Sequence, residues 1–143
     1  MRIRWKSVAI EELRNYEAVR ASLDTIPELI ERQESAIKRI RTSDPEKVVG
    51  TGGGGNDALL SAIVYRDELK LRLKEAQKNI AALDKALLSL SKDDYLVLDV
   101  CFIHPRKNGL NELCEEFCVE KSVIYERRNK ALERFTMTLY GCT

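Results

Sequence analysis

The sequence predicts an all-α protein: an N-terminal antiparallel hairpin of long, coiled-coil-like helices and a C-terminal three-helix domain of helix-turn-helix type. Three observations point there. Apolar residues recur every three or four positions over two long stretches, which is the period of a helix. Only 3 of 143 residues are proline, and the abundance of Leu, Ile, Lys, Glu and Arg suits amphipathic helices. Four consecutive glycines separate the two stretches and leave the backbone free to turn back. The expected division is 1–90 for the hairpin and 91–143 for the C-terminal domain.

The first stretch covers residues 5–41. Trp5, Ala9, Glu12, Tyr16, Val19, Leu23, Ile26, Ile30, Gln33, Ile37 and Ile40 follow heptad-like spacing, and nine of these eleven are apolar or aromatic. Pro27 lies inside the pattern. It removes one backbone donor and disfavours helix at Ile26, so either the helix kinks or Thr25 caps a second one. Residues 43–56 read as a linker. A phosphate-binding loop would need Gly-Lys-Ser/Thr after its glycines, and here Asn56, Asp57 and Ala58 follow.

The third stretch opens at Asp57 as a helix cap and runs to residue 90. Leu69, Leu73, Ala76, Ile80, Leu83, Leu87 and Leu90 fall at a/d spacing. Such a helix is roughly 50 Å long at about 1.5 Å per residue. Its stripe serves core packing within the hairpin or, through leftover apolar surface, a homodimer.

Ser91 restarts the helix as a cap, Asp94 can reach back to complete a capping box, and Leu90 with Tyr95 forms a hydrophobic staple. The helix over 92–103 buries Leu96, Val97, Val100 and Ile103. His104 and Pro105 end it, and Asn108-Gly109 signals a turn. A short helix over 110–117 places Leu110, Leu113, Cys114 and Phe117 on one face. Cys118, Val119 and Glu120 make the next turn. The last helix, 121–139, buries Ile124, Ala131, Leu132 and Phe135. Short helix, three-residue turn and longer helix form the helix-turn-helix pattern, with Val119 and Ile124 pinning the crossing.

Lys121, Ser122, Tyr125 and Glu126 then face away from the core. Their chemistry suits base edges: Lys for guanine acceptors, Ser for either partner, Glu for a cytosine amine, Tyr for a thymine methyl. Arg106, Lys107, Arg128, Lys130 and Arg134 are placed for phosphates. The formal net charge is only +1, which argues against a non-specific nucleic-acid binder. The charge is segregated, however. Residues 91–120 hold three basic and seven acidic groups, whereas 121–134 hold five basic and two acidic. One positive face can therefore meet phosphates.

No apolar run approaches the roughly 20 residues of a membrane span, and the opening residues lack a secretory core. A cytoplasmic protein with four reduced cysteines is expected. Cys101, His104, Cys114 and Cys118 have the residue types of a structural zinc site, but Cys114 and Cys118 also fill apolar slots, so no metal is expected. Cys142 is expected to be exposed. His104, the one histidine, is followed by Pro105 and basic residues with no nucleophile set beside it. Acid pairs such as Glu11-Glu12 and Glu115-Glu116 diverge around a helix and do not converge on one bond. No enzyme, cofactor or small-molecule substrate is expected.

Residues 90–141, from Leu-Ser-Lys-Asp-Asp-Tyr-Leu-Val-Leu through Tyr-Glu-Arg-Arg-Asn-Lys-Ala-Leu-Glu-Arg-Phe to Leu-Tyr-Gly, resemble the region 4 module of sigma-70-type factors. From Trp5-Lys6-Ser7-Val8-Ala9-Ile10-Glu11-Glu12-Leu13 onward, the whole chain is similar to small phage proteins of the ArpU/RinA type. The resemblance implies a late-gene transcription regulator of phages in Gram-positive hosts, with duplex DNA as partner and contact to RNA polymerase. It matches Lys121, Ser122, Tyr125 and Glu126 to DNA-reading positions. Arg127 stands where sigma factors usually carry an apolar residue, so packing there must differ. Two other readings remain open: a DNA-packaging component like a small terminase subunit, and a polymerase-binding adaptor.

Overall fold

A computed structural model describes residues 2–42 and 54–143, with side chains from residue 57 onward in the second span. The described residues form six α-helices: α1 Trp5–Arg14, α2 Tyr16–Thr42, α3 Gly54–Leu88, α4 Lys92–Leu98, α5 Gly109–Phe117 and α6 Lys121–Tyr140. A π-helical segment, Asp99–Ile103, extends α4. No strand occurs among the described residues, so the all-α class holds.

Contacts divide the chain into two compact units. One joins the residues up to Val19 with Asn79–Thr143; the other is Arg20–Lys78. These units do not follow the expected division at residues 90 and 91. The reason lies in α1, which buries Ala9 and Leu13 and packs on α6 and the π-helical segment. Trp5 stacks on Tyr140 with ring centroids 4.8 Å apart. The Tyr16 hydroxyl donates to Asp84, and Asn79 donates to Glu12 at 3.3 Å.

The centre of the C-terminal helices is Val97, Val100, Leu113 and Ile124, ringed by Leu96, Cys101, Leu110, Cys114, Phe117 and Val119. Burying each Leu, Ile or Val side chain stabilises by about 1.5–3 kcal/mol before chain entropy is counted. α6 adds Ala131, Leu132, Phe135 and Thr136. Thr136 is the one buried polar residue among the described residues, and its hydroxyl donates to the Leu132 carbonyl at 2.6 Å.

The stretch 92–103 is not one regular helix. The His104 amide donates to the Asp99 carbonyl at 2.7 Å, a bond spanning five residues. That wider turn fits one extra residue into the helix. Leu98, Phe102 and Ile103 are thereby buried along with Val97 and Val100. Gly109 opens α5 because nothing larger fits: an added Cβ would meet the Val100 side chain at 2.6 Å.

Other boundaries differ from expectation. The break in the first stretch falls at Asn15 (φ −92, ψ 0), while α2 continues past Pro27. Thr25 does not cap; its hydroxyl donates to the Ala21 carbonyl at 3.3 Å, as in a helix interior. α3 begins three residues ahead of Asp57, leaving that carboxylate in the first turn beside the positive end of the helix dipole. The linker expected at 43–56 lies outside the described residues up to 53. Ser91 does cap α4, accepting from the Asp94 amide at 3.2 Å.

In the unit Arg20–Lys78, Ile37, Ala62 and Leu69 are buried, and Gln33 donates to the Ala62 carbonyl at 3.1 Å. Lys70 pairs with Glu34 at 3.6 Å. Leu60, Val64 and Leu71 stand 61%, 50% and 60% exposed. At 100° per residue they form one row on the face of α3 opposite Leu69.

Candidate nucleic-acid interface

The turn between α5 and α6 is set by backbone geometry. Cys118 adopts the left-handed conformation (φ 55, ψ 44), alone among the described non-glycine residues. The Val119 amide then donates to the Cys114 carbonyl at 3.1 Å, closing α5 in the manner of a Schellman motif. Val119 packs on the core, and Ile124, fully buried, anchors α6 one turn into its length. Crossing angle and helix rotation are fixed together.

That rotation leaves Lys121, Ser122, Tyr125 and Glu126 exposed at the start of α6. Tyr125, 44% exposed, has the Arg128 guanidinium 4.9 Å from its ring centroid. Cation–π contact of this kind contributes about 0.5–1 kcal/mol at an exposed site. Glu126 pairs with Lys130 at 3.3 Å, one helical turn on.

The five phosphate candidates fall into two groups. Lys107 is exposed and Arg128 half-buried, and neither makes an ion pair among the described residues. Arg106 pairs with Glu112 at 3.0 Å, Lys130 with Glu126, and Arg134 with Asp94 at 3.3 Å. Pairs as exposed as the first two hold by about 0–1 kcal/mol, so a phosphate can displace the carboxylate. Arg134 is held harder, because the Asp94 side chain is only 14% exposed.

Sequence reasoning missed Arg127 as a structural residue. Its guanidinium lies 4.9 Å over the Phe117 ring and reaches Asp93 at 3.5 Å and Asp94 at 3.6 Å. A cation laid on an aromatic face, flanked by two carboxylates, thus occupies the slot where an apolar residue was expected. Asp94 does not complete a capping box through its side chain; it clasps Arg127 and Arg134 across to α6. The signal available in the sequence was the displaced charge at Arg127 itself, paired with Asp93-Asp94.

His104 ends the π-helical segment as a clasp. Its Nδ1 lies 2.6 Å from Asp99 and its Nε2 3.0 Å from Glu17. The hydrogen bond to Asp99 raises its pKa above the ordinary histidine value, helped by the charges of Asp99 and Glu17. Cys118, expected in an apolar slot, is exposed with its Sγ 3.6 Å from the Glu115 carbonyl, because the left-handed turn swings it outward. Cys142, expected exposed, is half-buried. Burial pushes the Cys101 thiol up, and Arg128 partly offsets this. No cluster of three or more His, Cys, Asp or Glu side chains is placed to hold a metal among the described residues. No described helix is long and apolar enough to cross a membrane. No protein-family model matches the chain, and neither a curated protein nor a solved structure does.

Proposed function

We propose that the chain is a sequence-specific duplex-DNA-binding protein and a transcription regulator of the ArpU/RinA phage type. In this reading α5 and α6 are the two arms of a helix-turn-helix, and the start of α6 enters the major groove. The observation that carries it is the pairing of a buried pivot, Ile124, with four exposed reaching side chains on either side of it: Lys121, Ser122, Tyr125 and Glu126. Lys107 and Arg128 take phosphates first, and Arg106 and Lys130 join on exchange of their carboxylates. The protein acts in the cytoplasm of the host bacterium, with RNA polymerase as a further partner and no catalytic step of its own. α2 and α3 make an antiparallel hairpin, and the row Leu60, Val64 and Leu71 supports a homodimer through it.

Selection of bound duplexes from a random pool tests this directly. A consensus sequence is expected, with two half-sites spaced by whole helical turns of about 34 Å if the protein is a dimer. Recovery without any preference overturns the reading. Solution mass separates it from DNA packaging, for which a ring of many subunits would be found. The adaptor reading is favoured by one observation: three of the five phosphate candidates already have carboxylate partners. It predicts polymerase capture without duplex binding.

A further inference from the structure

The row of exposed apolar residues on α3 continues as a row of charges. Leu60, Val64, Asp67, Leu71, Lys74 and Lys78 follow each other at steps of three or four residues. At about 100° per residue these six lie within about 40° of one line, opposite the buried Ala62 and Leu69. All six are exposed, and the row is about 27 Å long. α3 therefore has two apolar faces, of which the one bearing Ala62 and Leu69 is covered within the chain.

The row carries opposite charge on either side of Leu71. Asp67 precedes it, and Lys74 and Lys78 follow it. The Asp67 side chain is 61% exposed, and its pair is the neighbouring Arg66 at 3.3 Å, an exposed contact that a second cation can share. Lys74 and Lys78 are exposed and make no ion pair among the described residues.

A second copy laid antiparallel on this row, with the two-fold axis beside Leu71, meets these features with their complements. Leu71 meets the partner's Leu71. Asp67 and the partner's Lys74 come within about 1.5 Å of the same level along the axis and on the same flank, so the symmetry makes two ion pairs. Val64 comes level with the partner's Lys78, whose methylene stem can cover it while the ammonium stays in water. A parallel copy would set Asp67 against Asp67 and Lys74 against Lys74, which like charges oppose. On the other flank of the antiparallel pair, the exposed Glu68 faces the partner's Glu75, a contact that weakens the association.

We propose that two copies of this chain pair antiparallel through the outer face of α3, with Leu71 at the two-fold axis and Asp67 of each copy against Lys74 of the other. The proposal rests on the homodimer of the reading above and gives it an orientation and a register. It is measured without DNA, so that either can fail alone.

The test is sedimentation equilibrium of the full chain across a concentration series, with thermal melts to check that each variant folds. Asp67→Lys and Lys74→Asp should each weaken the dimer about tenfold, because the symmetry removes two pairs at once. Asp67→Lys with Lys74→Asp in one chain should restore it, as should mixing the two single variants. Glu75→Lys, which makes the repulsive flank attractive, should tighten it. A wild-type chain that stays monomeric or forms a ring overturns the proposal. So does a dimer that the single reversals leave unchanged, or one that the double variant does not rescue. A dimer that behaves as expected in a chain that binds no duplex overturns the DNA reading and leaves this one standing.

Discussion

The two units of the molecule are held in different ways. In the described part of Arg20–Lys78 the buried apolar residues are Ile37, Ala62 and Leu69, whereas Leu60, Val64, Tyr65 and Leu71 stand exposed. The other unit interlocks α1, α4, α5 and α6 and encloses Phe135, Leu13, Leu83, Leu98, Leu113, Ile124 and Val97 almost completely. Two helices side by side offer one seam each, while four crossing helices close a volume. The start of α6, the surface proposed to meet DNA, stands on the second kind of support, which holds side chains in place ahead of any partner.

Ile124→Ala should break the stronger unit. A cavity under the α5–α6 crossing is expected to cost about 2–5 kcal/mol, measured by urea unfolding. Leu69→Ala should cost less, near 2 kcal/mol, because the looser seam can close around the missing atoms. Equal losses would mean the two units are packed alike. Gly109→Ala comes next, at about 1–3 kcal/mol, since the new methyl collides with Val100 and either α5 or the π-helical segment must shift. A melting temperature unchanged by this variant would show that the close approach is slack.

Lys121→Ala and Tyr125→Ala probe the surface and not its support. Each should weaken specific duplex binding by about 1–3 kcal/mol and leave stability within about 0.5 kcal/mol. If both unfold the chain as Ile124→Ala does, the ridge is structural.

The smallest effect concerns His104. Its pKa is higher in the folded chain than the unfolded value of about 6.5. The added stability is therefore complete below that pH and disappears as pH rises through the folded pKa. Thermal melts should show the native protein losing stability from about pH 6.5 upward relative to His104→Gln. Parallel curves for the two proteins would remove the clasp to Asp99 and Glu17 from the account.

The helical periods of both long stretches and the α5–turn–α6 pattern were legible, because apolar spacing reports which face is covered. Every position in the seam from Trp5 to Ile40 is buried or half-buried. The π-helical segment was not legible, since its apolar run satisfies an ordinary helix equally well until the partner helices select which residues face inward. Cys118 was read as a turn residue but not as left-handed, a conformation usually announced by glycine. Among the ion pairs, Lys130–Glu126 follows from i,i+4 spacing, but Arg134–Asp94 joins residues 40 apart in the chain. Local spacing cannot reveal that kind of pairing. Consequently the candidate side chains were identifiable by type, while their division into occupied and available cations required the fold.

The five-residue bond between His104 and Asp99 has a consequence for how this chain tolerates change in length. A wide turn of this kind is equivalent to one inserted residue, so deleting a single residue between Asp99 and Ile103 would let the helix revert to ordinary winding without opening a gap. Everything downstream would then keep its orientation relative to α4, whereas the same deletion in a regularly wound helix would turn it by about 100°. A variant of this chain with one residue deleted between Asp99 and Ile103 should therefore keep the same apolar positions inward in α5 and α6, whereas a one-residue deletion within α4 would displace them.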